Sequence, residues 1–269
     1  MILRTKQRKG FTLVELSIVL VIIGLLIGGI LVGQSLIESA KFNRLLRTVQ
    51  QVEILSGIYK QRYKQLPGDD SSAQSKFGAA NCGTNCNGDG NGIILGASGV
   101  TNYEGARFWH HLKLSSLLDG TGINIVAPVS LLGSWDGTAY LAANYIPEFK
   151  DIEKNLSIIG LGDPSTVGGI LAGYGSCKQA LFIGKATYTS ASTSGGMMNF
   201  NPKQSLNAKY ARYLDNKIDD YIPNTGKIMA SQVNVSSCLG TGSASYRTTP
   251  SNGYEMPDQE CNILWCMDK

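Results

Sequence analysis

Hydrophobic positions fall into three regimes along the chain. From Phe11 to Val32 the sequence is an essentially continuous apolar run of 22 residues. As a helix it spans roughly 33 Å, against a bilayer hydrocarbon core of ~30 Å, so it can cross one membrane. From Gln34 to Gln65 the pattern turns amphipathic. Phe42, Leu45, Val49, Val52, Leu55, Tyr59, Tyr63 and Leu66 recur every three or four residues, which is helical periodicity. Pro67-Gly68 then stops the pattern. One helix is therefore predicted from Phe11 to Gln65, roughly 80 Å long. Beyond it the apolar stretches are short and bounded by Gly, Ser, Asn and Thr. Ile93-Ile94-Leu95, Leu181-Phe182-Ile183 and Val233-Asn234-Val235 predict strands. Glu104–Leu118 and Pro202–Ile222 predict helices, the second opening on Asn201-Pro202 as cap and first turn.

Charge changes the picture at the N-terminus. The chain has 269 residues, 43% hydrophobic and 16% charged, with a formal net charge of +4. That excludes a disordered polymer. Arg4, Lys6, Arg8 and Lys9 account for the whole excess, because the remainder carries 20 basic and 20 acidic groups. No bulk attraction to nucleic acid follows beyond this short leader, which argues against nucleic acid as a partner. Basic residues before an apolar span place that end in the cytoplasm. Lys41, Arg44 and Arg47 form a basic stripe beyond the span, and a solvated face or lipid-headgroup contact explains them.

Glu15 does not belong in such a span. An isolated carboxylate there costs ~2–4 kcal/mol by insertion scales and is normally functional or paired. An ordinary secretory signal would end its apolar stretch at a small-residue cleavage site. Here the small residue, Gly10, precedes the run. Cutting after Gly10 removes the charges, keeps the helix, and frees an amine on Phe11 about one turn from Glu15.

Lys9-Gly10-Phe11-Thr12-Leu13-Val14-Glu15-Leu16 resembles the processing and methylation motif of type IV pilins and type II secretion pseudopilins. The resemblance implies cleavage after Gly10 and N-methylation of Phe11 by a membrane-embedded prepilin peptidase. It also implies that Glu15 compensates the terminal amine of a neighbouring subunit during assembly. The physics agrees, since removing one partner of a buried charge pair costs ~3–5 kcal/mol, enough to fix register between greasy helices. Gly24, Gly28, Gly29 and Gly33 permit close helix approach in lipid. Many major pilins of this family carry a proline where this chain has Val32, which leans toward a minor pilin or a pseudopilin.

Six cysteines in an exported domain read as disulfides. Fifteen pairings are open; spacing suggests Cys82–Cys86 and Cys261–Cys266, and elimination leaves Cys177–Cys238. The C-terminal pair would resemble the disulfide-bounded loop near the end of many pilins. Zinc is the competing use, and neither Cys-x3-Cys nor Cys-x4-Cys suits it. In the loop 85–94, Asn87, Asp89 and Asn91 alternate like the first, third and fifth ligands of a calcium loop. Ser98 stands where the bidentate Glu belongs, so calcium competes with a plain Asn-Gly turn held by Cys82–Cys86. Glu104 or Asp69-Asp70 completes the shell only if the fold brings them near. Asp215, Asp219 and Asp220 read as a solvated helix end. Trp109-His110-His111 comes without any catalytic motif, so no catalytic residue is assigned and no enzyme is expected.

The expected fold class is α+β and pilin-like, a long N-terminal helix packed on an antiparallel sheet head with extra helices and loops. Residues 1–10 are the leader, 11–33 the membrane or filament-core helix, 34–66 its amphipathic second half, and 67–269 the head. The expected function is a structural subunit, a minor or large pilin, of a type IV pilus-like filament. Its partners are identical or related subunits, the prepilin peptidase and an inner-membrane assembly platform. The precursor sits single-pass in the bacterial inner membrane, and the product lies in a periplasmic or extracellular filament. A type II secretion pseudopilin is the near alternative, and a membrane-tethered binding or catalytic domain the distant one.

Overall fold

A computed structural model of the chain describes residues 10, 12–82, 86–94, 104–123, 147, 149, 152, 156–161, 177, 179–184, 206–222, 225–230, 260–261 and 263–268. It divides into two units, Met1–Asn43 and Arg44–Lys269. Helix α1, Leu13–Tyr63, is one uninterrupted element of 51 residues, as the continuous periodicity requires. Within the first unit every large apolar side chain from Leu13 to Val32 is at least 45% exposed. The helix is long and apolar enough to cross a membrane.

In the second unit the same helix has a buried stripe. Leu45, Val49, Val52 and Tyr59 are fully buried and Leu55 nearly so, whereas Ile54 on the other side is 61% exposed. The helix ends when Lys64 turns left-handed at φ 62° and its amide reaches back to the Lys60 carbonyl at 2.9 Å, an αL cap. Short helices α2 (Ala73–Phe77) and α3 (Ala79–Cys82) follow.

Helix α4, Glu104–Leu114, stops four residues before the expected Leu118. Ser116 adopts φ 56°, the Leu117 amide donates to the Leu112 carbonyl, and the Ser116 amide donates to the Lys113 carbonyl. That is a Schellman closure made without glycine. Helix α5 covers only Ala208–Ile218 of the expected Pro202–Ile222, because Leu206–Asn207 form strand β3 directly before it.

The main sheet is antiparallel, with β1 (Ser157–Leu161), β2 (Ala180–Gly184), β4 (Ile228–Ala230) and β6 (Ile263–Cys266) in the order β1-β2-β6-β4. Strand β5, Glu260–Cys261, pairs instead with β3. The stretch Leu181–Ile183 is a strand as expected. Ile93 lies in a bend and Ile94 in irregular chain rather than a strand, and Leu95 and 233–235 lie outside the described residues. Glu53 joins α1 to the sheet, accepting from Lys227 Nζ and Trp265 Nε1, each at 2.8 Å. Trp109 Nε1 joins α4 to β1 through the Ile158 carbonyl at 2.7 Å. The fold is α+β, with the long helix followed by an antiparallel sheet and extra helices.

Cys82 and Cys86 are joined, the local pairing expected. The rest of the expected scheme needs correction, because Cys177 pairs with Cys266 rather than with Cys238. Register explains it: Ala180 faces Cys266 across β2 and β6, so Cys177, just upstream, meets Cys266 with a Cα separation of 5.7 Å. Cys261 cannot then pair with Cys266, five residues away in another sheet. Cys238 lies outside the described residues.

Candidate functional site

The processing segment begins at Gly10, which is exposed, and a Cβ built on it meets no atom within 4 Å. Among the described residues, none packs closely enough against Gly10 to demand glycine there. Phe11 lies outside the described residues. Thr12 caps α1, and Glu15 sits three residues on. The Glu15 Oε2 accepts from the Thr12 amide and hydroxyl, both at 2.8 Å, while the Glu15 amide donates to the Thr12 hydroxyl at 3.3 Å. This is a reciprocal capping box. The Thr-x-x-Glu spacing is plain in the sequence, and it gives Glu15 an intrachain role beside the one the resemblance implies. The Glu15 carboxylate is thereby oriented at the helix N-terminus, where negative charge is favoured.

The second site is the loop from Cys86 to Ile94. His111 holds one end of it. The Gly68 amide donates to His111 Nδ1 at 2.9 Å, which leaves the ring proton on Nε2, and Nε2 donates to the Cys86 carbonyl at 2.8 Å. Burial pushes His111 down to about 4, so the ring is neutral and structural. Burial likewise pushes His110 down to about 4. Gly68 has φ 92°, and a Cβ on it would lie 2.3 Å from the Glu104 carbonyl oxygen, so only glycine fits.

The loop folds its backbone around Asp69. Asp69 Oδ1 accepts from the Gly90 amide at 2.8 Å and the Asn91 amide at 3.1 Å, and Oδ2 accepts from the Gly92 amide at 2.9 Å. Asp70 points elsewhere, bound by the Tyr59 hydroxyl at 2.8 Å and by Lys76 at 2.7 Å. Burial pushes Asp70 up, but the Lys76 bond, the Ser72 amide and the Tyr59 hydroxyl outweigh it and hold the carboxyl below its ordinary range.

Of the three expected calcium ligands, Asn87 gives its side-chain oxygen to the Gln74 amide at 2.8 Å, and Asn91 gives its own to the Ile93 amide at 2.7 Å. The acids that converge are Asp69, Asp89 and Glu104, each placing one oxygen within 4.8 Å of the others. Asp69 and Glu104 are buried and Asp89 is exposed. Burial pushes the Asp69 carboxyl up to about 6, and the neighbouring Asp89 pushes it the same way. Three hard oxygen donors crowded at a half-buried loop are the donor set a hard cation such as Ca²⁺ takes. Arg107, buried beside Glu104, supplies one opposing charge.

Asp215, Asp219 and Asp220 also cluster, but as turn organisers. Asp219 accepts from the amides of Lys227 and Ile228, Asp220 accepts from Ile222 and Thr225, and Asp215 accepts from the Tyr221 amide.

Comparison of the whole chain with curated proteins and with solved structures gives no match. Residues 5–31 match the family model described as the prokaryotic N-terminal methylation motif, a span that contains Gly10, Phe11, the capping box and most of the apolar run. The chain therefore carries the prepilin motif of type IV pilins and pseudopilins at the head of an exposed apolar helix.

Proposed function

We infer that the prepilin motif marks a pilin-like or pseudopilin-type protein, processed by a prepilin peptidase and anchored in the inner membrane as its precursor. Within that class we propose a non-enzymatic structural subunit of a type IV pilus-like filament, a minor or large pilin cut after Gly10 and assembled through α1. The observation that carries this reading is the motif seated on a helix whose apolar residues from Leu13 to Val32 are exposed in the single chain. Such a surface needs lipid before assembly and neighbouring helices after it. The size of the head and its disulfides favour a pilus subunit, while Val32 and the acidic loop favour a type II secretion pseudopilin.

Glu15→Leu and Glu15→Gln test the reading together. The first removes both the cap and the charge, and the second keeps a capping oxygen without the charge. Both variants are expected to be inserted and processed but to yield few filaments. Normal filament yield from either would contradict the pairing of Glu15 with a neighbour's amine. A purified head that hydrolyses or binds glycan, with no polymer from the full chain, would favour a tethered binding or catalytic domain.

A second role is supported by the convergence of Asp69, Asp89 and Glu104. These three carboxylates would hold a calcium ion that stabilises the head, with no part in any reaction.

A further inference from the structure

The C-terminal end of α1 carries a local excess of positive charge. From Ile54 to Gly68 the sequence holds Lys60, Arg62 and Lys64 and no Asp or Glu. All three residues are exposed, and among the described residues no carboxylate forms an ion pair with any of them. The flanking acids are committed elsewhere. Glu53 pairs with Lys227 at 2.8 Å. Asp69 and Asp70 are buried, the first holding loop amides and the second Lys76. The helix dipole favours a cation in the last turn, but it does not call for three within five residues and no acid beside them. The chain beyond its leader is neutral as a whole, so this charge is a feature of the place and not of the bulk.

The fold orders part of this patch before anything binds. Arg62 Nη1 donates to the Ser115 carbonyl at 3.3 Å, and its Cζ lies 6.0 Å from the Tyr63 ring centroid. Lys76, from α2, brings its Nζ to 5.4 Å from the same ring. Cations held this way lose less side-chain freedom when a partner arrives. Lys60 and Lys64 stand beside them, about 6 Å apart along the helix axis, a separation comparable to the repeat of a sugar chain.

The aromatic rings decide what kind of polyanion fits. Proteins that hold single-stranded nucleic acid combine a basic groove with ring faces on which bases stack. Here Tyr63 already faces Tyr59 at 4.6 Å, the edge of Phe77 at 5.4 Å, and the two cations. Tyr59 is buried, and Tyr63 and Phe77 are half-buried. The patch therefore offers charge without a stacking platform, which suits a chain of anionic groups that carries no bases.

We propose that the surface formed by Lys60, Arg62 and Lys64 binds an acidic polysaccharide through the carboxylates of its sugar units. The proposal rests on neither the filament reading nor the calcium site.

Isothermal titration calorimetry tests it on the full-length protein in detergent, with polygalacturonate, neutral dextran and single-stranded poly(dT) as probes. Polygalacturonate is expected to bind, more weakly as salt rises, and dextran is not. The double variant Lys60→Gln, Lys64→Gln is expected to bind about tenfold more weakly, the worth of two exposed ion pairs. Neither lysine side chain holds another element among the described residues, and an unchanged melting temperature checks that the head is intact. Lys41→Gln with Arg47→Gln removes the same charge elsewhere on α1 and is expected to leave the affinity unchanged; the leader cations are common to every variant. Equal losses in both double variants would reduce the effect to bulk charge and overturn the proposal. Polygalacturonate that does not bind, or that binds the Lys60 and Lys64 variant as tightly as the parent, would overturn it as well. Tighter binding of poly(dT) through the same two lysines would make the partner a nucleic acid instead.

Discussion

At the scale of single residues, His111 shows how much of this head depends on a neutral ring. It lies stacked on Tyr59, accepts from Gly68 and donates to Cys86, so protonation would set an N–H against the Gly68 N–H. Its folded value of about 4 lies below the ordinary 6.5, and the unfolded chain therefore takes up a proton first as pH falls. The stabilisation is fully present above about 6.5 and is lost between there and about 4, by roughly 3 kcal/mol at most. His110 shifts the same way. Replacing His111 with Gln keeps an acceptor and a donor but removes the titration. The account predicts a flatter fall of melting temperature over that acid window in His111→Gln, and an unchanged slope would contradict it. The tautomer could not be read from Trp109-His110-His111 alone, because Gly68 and Cys86, which fix it, are 43 and 25 residues away.

At the scale of elements, α1 was legible because helical periodicity is local: its buried stripe is the one the spacing of Leu45, Val49, Val52, Leu55 and Tyr59 requires. The two sides of this helix differ sharply in energetics. Leu45→Ala removes a fully buried side chain and is expected to cost about 3 kcal/mol. Ile54→Ala, at a position 61% exposed, is expected to stay within about 0.5 kcal/mol. Thermal unfolding in detergent compares them, and equal losses would refute the packing described. The sheet was far less legible. Its strands run three to five residues, and β6 pairs with β2 from eighty or more residues away in the chain. No local pattern carries that pairing. The disulfide scheme erred for the same reason, since spacing favours neighbours such as Cys261 and Cys266, while β-register brings Cys177 to Cys266. The capping box of Thr12 and Glu15 was readable from spacing alone, and a functional role for Glu15 masked its structural one.

At the scale of the molecule, two regions bear on the proposed function. In the head, the acidic loop is a tertiary assembly: Asp89 lies in the Gly-rich stretch, while Asp69 comes from the turn after α1 and Glu104 from the first turn of α4. Calcium is expected to raise the melting temperature of the full-length protein, and Glu104→Gln to abolish the rise. A rise of the same size in both proteins would exclude this site. At the N-terminus, residues 5–31, which include Gly10, the capping box and most of the apolar run, match the prokaryotic N-terminal methylation motif. The most direct measurement is the intact N-terminal mass of the mature chain taken from assembled material. The account predicts a polypeptide that starts at N-methylated Phe11. Filaments built from chains that still bear residues 1–10 would contradict it.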